Sequence, residues 1–393
     1  MREFASFCKI LLHSLESGTG LRYCSAADAL GAMPMPDHVK DYSLLGPDGE
    51  AALQHGLANA TWYTSPVPRA VMKELMRRSD SPAIRDTLIW FACLALFGGL
   101  GIAFWGTWWA VPAFFVYGVF YCSASDSRWH ECGHRTAFKT TWMNDAVYQM
   151  ACFMILREPT PWRWSHARHH TDTIIVGRDP EIAVPRPPNL FNLLISIFAL
   201  RSGPRELRHV LLHATGRLDP AERTYIPQSE WPKVFFVARV WVVLFALVIA
   251  ASLWTCSLLP LVLIGLPSFY GAWMYLFFGL TQHAGLAENV LDHRMNCRTV
   301  YMNPLFRFIY WNMNYHVEHH MFPMVPYHAL ARLHAAIKAD SPAPYPNTIA
   351  AYAEIIPALL RQRREPDWCV ARTLPPTARP FLVGPAATAL AAE

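Results

Sequence analysis

Eight of the chain's seventeen histidines fall into three tight groups. The first is His130-Glu131-Cys132-Gly133-His134, the second His166-Ala167-Arg168-His169-His170, and the third His316-Val317-Glu318-His319-His320. Within each group the imidazoles lie three or four residues apart, the spacing that puts side chains on one face of a helix. Neutral imidazole is a good ligand for iron, zinc, copper and nickel. Gathering eight of them without a metal serves no folding purpose and costs desolvation. A zinc site takes three or four protein ligands, so eight exceed one metal. Two metals sharing the set is the natural reading.

Something must aim three distant groups at one place. Thr87 to Ser125 is 39 residues without an Asp, Glu, Lys or Arg, and Val240 to Leu280 is another 41. A membrane helix needs roughly 20 apolar residues, so each run suits two spans rather than one. Turn residues sit mid-run at Gly106-Thr107 and at Thr255-Cys256-Ser257. The runs therefore predict two helical hairpins, with spans near 88–105, 108–125, 236–254 and 258–280. Trp105, Trp108, Trp109 and Trp254 stand near the turns, as interfacial anchors do.

Basic residues set the orientation. The hairpin turns have none, whereas fourteen Lys and Arg lie in 126–233, nine before residue 87 and ten after 281. By the positive-inside rule both termini and the middle segment face the cytoplasm. The expected fold is an all-α membrane protein: four transmembrane helices in two hairpins, with a cytoplasmic helical cap holding the histidine groups. Its parts are a cytoplasmic N-terminal region (1–86), the membrane domain (87–340) and a cytoplasmic C-terminal tail (341–393), loose over its last twenty or so residues. The segment 189–200 is too short for a span and suits an interfacial or buried helix. Phe4–Leu15 lacks the features of a signal peptide, and Met33 or Met35 is an alternative start.

Composition agrees. Apolar residues make up 53% and charged residues 16%, below the roughly 25% charged of soluble domains. A net charge of +5 on that background excludes a nucleic-acid-binding arm. Nine cysteines without a C-x-x-C pair exclude a disulfide framework and a cysteine-based zinc or iron–sulfur site.

His130-Glu131-Cys132-Gly133-His134 also matches H-E-x-x-H, in which Glu is the general base of a zinc protease. That reading explains two histidines and leaves six without a role. Outside the groups, His209 and His213 read as part of an amphipathic surface helix. His13, His38, His55, His328 and His334 read as solvated or packing residues, and Cys132 as inert. Glu131, Asp172, Asn314 and Glu318 are the candidates to orient imidazole N–H groups.

The pattern H-x-x-x-H, H-x-x-H-H, H-x-x-H-H around two hairpins resembles the membrane-bound fatty-acid desaturase superfamily over roughly residues 85–340. That superfamily includes acyl desaturases, alkane and xylene hydroxylases, carotenoid hydroxylases and ketolases, and hydrocarbon oxygenases. The resemblance implies two non-haem irons held by His130, His134, His166, His169, His170, His316, His319 and His320. It also implies a further ligand before the last group. His283, in Gln282-His283, matches one branch of the superfamily, and Asn289 with His293 matches another. The position of His283 at the membrane boundary favours it.

The resemblance further implies an oxidoreductase of the inner membrane or its equivalent that oxidises an unactivated C–H bond with dioxygen. Acyl-chain desaturation is the leading expectation. A hydrocarbon oxygenase, or an oxidative demethylase of a small substrate, is the second. A membrane protein that binds metal without catalysis is a third. The chain has no dinucleotide-binding glycine fingerprint, iron–sulfur cysteine set or cytochrome b5 segment. A ferredoxin or cytochrome b5-type donor with an NAD(P)H reductase is therefore expected, acting at the cytoplasmic side on a membrane-lipid substrate.

Overall fold

The computed structural model describes residues 39–380, which are mostly helical. Among them the strand-like pairings are two isolated bridges, Thr299 with Tyr315 and Val300 with Tyr345. His13, His38, Met33, Met35 and Phe4–Leu15 lie outside the described residues, as does the end of the chain from 381.

Short helices α1 (Pro47–Gln54) and α2 (Arg69–Leu75) precede α3 (Asp80–Ala103). The 24 residues of α3 extend about 36 Å at 1.5 Å per residue, enough to cross the ~30 Å hydrocarbon core. The chain turns where expected, at Gly106, whose φ of 86° suits a residue without a Cβ. It returns as α4 (Ala110–Gly118). Three stretches are long and apolar enough to span a membrane: Arg69–Ala103, Gln228–Trp254 and Leu259–His283.

The second predicted span behaves differently. After nine residues α4 enters a π-helical turn, Val119–Ser123, and continues as α5 (Ala124–Gly133). Every residue from Tyr117 to Cys132 is buried, so this helix is sheathed by protein. The wider turn releases backbone carbonyls, and the Trp90 indole N–H donates to one of them, Phe120 O, at 2.7 Å. Such π-turns recur at functional sites, since one extra residue rotates the rest of the helix to a new face. The residue re-aimed here is His130.

After α5 come α6 (Thr141–Met154), α7 (Pro159–Thr171), α8 (Leu190–Ser196) and α9 (Ser202–Ala214). In and beside α8, Phe191, Leu194 and Phe198 are exposed. Then α10 (Trp231–Trp254) runs out, and the chain turns at Cys256, whose φ is 46°. The fourth predicted span is broken into α11 (Leu259–Leu263), α12 (Pro267–Tyr270) and α13 (Trp273–His283). Gly265, at φ 97°, and Pro267 make the first break. Gly271 makes the second, and a Cβ there would overlap the backbone of Gly118. This glycine contact draws the two hairpins together beside the π-turn. There Ser123 Oγ donates to Gly271 O at 2.6 Å and accepts from Tyr275 N at 2.9 Å.

Leu88, Leu96 and Leu100 of α3 and Phe236, Val243 and Leu247 of α10 are exposed. So large an apolar surface marks a membrane-facing exterior. Trp108 and Trp254 are 89% and 90% exposed at the far turns. After α13 come α14 (His293–Asn296), α15 (Pro304–Ile309), α16 (His316–Met321), α17 (Leu330–Ile337) and α18 (Thr348–Gln362). The last folds back on α13, where the Tyr352 ring stacks on Phe277 and its hydroxyl donates to Phe277 O at 2.6 Å.

Candidate metal centre

Each histidine group lies at a helix end aimed inward. His130 is on the last turn of α5 and His134 caps it. His166, His169 and His170 occupy the C-terminal half of α7, a helix started by Pro159 whose fixed φ suits the first turn. The third group forms most of α16, and His283 ends α13. The first two groups are tied by Arg157, which is ion-paired to Asp126 at 2.7 Å and lies over Trp129 and Trp162.

The nine imidazoles form two sets. His130, His134, His166, His170 and His319 bring one donor atom each within 4.8 Å of one another. His169, His283, His316 and His320 do the same beside them. His170 and His320 stack across the two sets with ring centroids 4.4 Å apart.

In the first set the Nε2 atoms run His134–His166 3.1 Å, His166–His170 3.1 Å, His170–His319 3.2 Å and His319–His130 2.8 Å. In the second, His283–His316 is 2.9 Å and His316–His320 is 3.0 Å. Protons cannot satisfy these chains. A ring nitrogen carries either one proton or one lone pair, so each Nε2 can complete one hydrogen bond with a neighbour, not two. The Nδ1 partners tighten the argument. His166 Nδ1 faces Glu181 Oε2 at 3.1 Å, His169 Nδ1 faces Asp179 Oδ2 at 2.8 Å and His283 Nδ1 faces the Asn296 carbonyl at 2.7 Å. Asp179 and the Asn296 carbonyl accept, so Nδ1 of His169 and of His283 is the donor and their Nε2 atoms face the set. Converging lone pairs of this kind could hold a cation between them. At metal–nitrogen distances of about 2.0–2.1 Å, ligands on one ion stand about 2.8–3.4 Å apart, the range observed.

Electrostatics fit neutral ligands. Burial, reinforced by the surrounding imidazoles, drives His130, His166, His170, His316, His319 and His320 well below the ordinary histidine value. Burial and His169 push His134 down to about 4. His169 is the exception: burial lowers it, but the Asp179 carboxylate more than offsets this and raises it.

The residues expected to orient imidazoles do other work. Glu131 Oε1 accepts from Thr136 Oγ1 at 2.7 Å and from Tyr327 N at 2.9 Å, which fastens α5 to the residue 327 loop. Its bonds run to the scaffold and none to an imidazole, so it is not placed as the base of H-E-x-x-H. Glu318 accepts from Thr299 Oγ1 and His334 Nδ1, both at 2.5 Å. Asp172 pairs with Arg168 and Arg178, and Asn314 donates to Val300 O. The orienting groups are instead Asp179, Glu181, the Asn296 carbonyl and Thr173, whose hydroxyl is 3.2 Å from His320 Nδ1. Asp179 and Glu181 come nine and eleven residues after the second group in an irregular loop, where no periodic signal exists.

Of the rival extra ligands, His283 belongs to the second set. Asn289 is structural: its Oδ1 accepts from Val176 N at 2.8 Å. His293 stands beside His320, forming with Cys297 a smaller group of donors. Cys132 is buried outside all of these groups. His213 corrects the surface reading. It is fully buried, with Nδ1 2.6 Å from Glu158 and Nε2 2.8 Å from Glu222, because α9 packs inward against α10. His209 stays at the rim, 3.5 Å from Glu222. His55 bonds within its own turn, to Ala51 O. His334 is buried against Glu318 and Tyr301.

Comparison with known proteins gives a family model, fatty acid desaturase, that matches residues 106–352. The chain is similar to a Delta(12)-acyl-lipid-desaturase of Punica granatum, 34% identical over 93 residues (24% of this chain, 22% of that protein). It is 29% identical over 105 residues to an sn-1 oleoyl-lipid 12-desaturase of Synechocystis sp. (27% and 29%). It is 27% identical over 128 residues to a Delta(12)-fatty-acid desaturase of Arabidopsis thaliana (30% and 32%). The chain thus spans less than a third of the length of each of these relatives.

Proposed function

The chain belongs to the fatty acid desaturase family, and from that premise we propose that it is an integral-membrane non-haem di-iron enzyme that desaturates an acyl chain. The observation that carries this is the pair of convergent imidazole sets, five and four, whose lone pairs meet at cation-sized separations. One iron would be held by His130, His134, His166, His170 and His319, the other by His169, His283, His316 and His320. Bound there, iron supplies the one-electron redox chemistry with dioxygen that side chains lack. The overall balance is –CH2–CH2– plus O2, two electrons and two protons giving –CH=CH– and two waters.

The chain's own residues set the conditions. Asp179 and Glu181 take the Nδ1–H of His169 and His166, fixing tautomer and ring orientation and raising ligand basicity. Burial keeps the other imidazoles unprotonated at neutral pH. In this reading α4 completes a fourth crossing, and the termini, cap and irons lie on the cytoplasmic side. An acyl lipid reaches them from the membrane. A ferredoxin or cytochrome b5-type carrier with an NAD(P)H reductase supplies the electrons. The sn-1 oleoyl-lipid and Delta(12) names of the relatives support an acyl substrate over a free hydrocarbon.

The test is the detergent-purified protein analysed for metals and for dioxygen uptake with a reductase and ferredoxin, alongside acyl profiles of expressing cells. About two irons per chain, reductant-dependent uptake and a new double bond are expected. His319→Ala and His169→Ala should lose iron and turnover together. One zinc and no uptake would refute the proposal, and a hydroxylated product would move the reaction to oxygenation.

A further inference from the structure

His293 lies outside both imidazole sets. It is buried, and its Nδ1 has no hydrogen-bond partner. Its ring is in aromatic contact with two others. Trp62 stacks on it with centroids 4.3 Å apart and planes 4° from parallel. Its other neighbour is His320, 5.2 Å away centroid to centroid. The half-buried Trp62 belongs to the helix-free stretch between α1 and α2. Its indole N–H donates to Thr171 O at 3.0 Å, directly after His169 and His170.

The surroundings hold this stack firmly. Tyr63 N donates to Leu291 O at 2.9 Å, which pins the linker beside α14. The Arg294 guanidinium lies 3.5 Å over the Tyr63 ring and is paired with both Asp292 and Asp340. A near-parallel stack at this separation puts the two π-faces in contact. Electron tunnelling falls off exponentially with the gap, so a bridge of π-systems is the favourable path through a protein wall.

We propose that Trp62 and His293 form the one-electron path from the protein surface to the second imidazole set, arriving at His320. The inference rests on the di-iron reading. In each passage an external one-electron carrier protein, of iron–sulfur or haem type, is oxidised by one electron and the metal centre is reduced by one. Two passages supply the two electrons of the reaction. Trp62 and His293 are positioning residues that touch no substrate.

The experiment avoids any assumption about the natural carrier. A ruthenium tris-bipyridyl photosensitiser is attached to Thr61→Cys, an exposed position next to Trp62, in a background where Cys8, Cys24 and the exposed Cys256 are Ser. Flash-driven reduction of the iron-loaded protein is followed by absorbance, with metal content measured on the same samples. Trp62→Leu and His293→Leu should each slow injection by about tenfold or more at unchanged metal content. Trp62→Phe, which keeps a ring in the stack, should recover much of the rate. An unchanged rate in Trp62→Leu overturns the proposal, and so does loss of iron in that variant, which would make Trp62 a packing residue. A third metal per chain that disappears in Cys297→Ser also overturns it, by assigning His293 to a ligand group with Cys297 and His320. A parent protein without redox-active metal overturns the di-iron reading itself. The metal analysis reports that outcome separately from the rate.

Discussion

Asp179 offers the sharpest test of how the second imidazole set is held. Its side chain is completely buried, and one oxygen, Oδ2, accepts from both His169 Nδ1 and Ile174 N at 2.8 Å. The other, Oδ1, accepts from Glu181 N at 2.8 Å. All three partners are donors, so an amide cannot replace the carboxylate. In Asp179→Asn, either the NH2 faces His169 and Ile174, or the oxygen serves them and the NH2 meets Glu181 N–H. Each arrangement creates a donor–donor conflict and removes the charge that strengthens His169 as a ligand. Loss of such an outer partner weakens metal binding roughly 10- to 100-fold, about 1.4–2.7 kcal/mol. The assay is iron(II) retention against a competing chelator, with helix content by circular dichroism as the control for folding. A folded Asp179→Asn protein with parental affinity would refute the reasoning and show that His169 is oriented by packing alone.

The geometry carries three further outcomes. Burial pushes Glu131 up to about 7, and its Oε2 has no partner. Glu131→Gln keeps the acceptor for Thr136 and Tyr327 and removes a buried charge; iron and turnover should persist at pH 8 without loss of melting temperature, whereas a dead, folded variant would restore the general-base reading. His213 is held up at about 9: burial opposes the charge, and hydrogen bonds to Glu158 and Glu222 prevail. Because that lies above the unfolded value of about 6.5, its stabilisation is complete below pH ~6.5 and fades as pH rises through 9. Melting temperatures between pH 6 and 10 should show this decline, and His213→Gln should flatten it; an unchanged slope would contradict the assignment. Finally, His283→Ala should lose iron from the second set. Asn289→Ala should lose none and should destabilise the fold by about 1–2 kcal/mol, since it deprives Val176 N of its acceptor at a residue with φ 56°. Iron loss in Asn289→Ala with the fold intact would reverse the two roles.

Helical periodicity decides much of what is legible in the chain. Ligand histidines repeat at three and four residues because a helix presents that spacing on one face, so the periodicity survives in the sequence. Uncharged runs of 39 and 41 residues announce hairpins for the same reason, and both turns fall where small polar residues interrupt the runs. The second predicted span differs from a simple lipid-facing helix because apolar composition does not say whether lipid or protein surrounds it. Tyr117–Cys132 is buried throughout, and the π-turn there is met by Trp90 and Gly271, which pack against it from elsewhere in the chain.

The orienting groups are hidden for a different reason. Asp179 and Glu181 reach His169 and His166 only because the chain reverses after α7, with Ile174 at φ 56° and Gly177 at φ 74°. Gly177 lies against the backbone of Asp48 and Gly49, too close for a Cβ. A reversal built from single left-handed residues has no period, and its partners lie more than a hundred residues away. The carboxylates inside the boxes, Glu131 and Glu318, draw attention by proximity in sequence. Their hydrogen bonds, however, run away from the ligands beside them, to Thr136 and Tyr327 and to Thr299 and His334. That geometry sends both outward to the scaffold, where each fixes its box helix by two hydrogen bonds, and it leaves the orientation of the imidazoles to a loop that only the fold brings near.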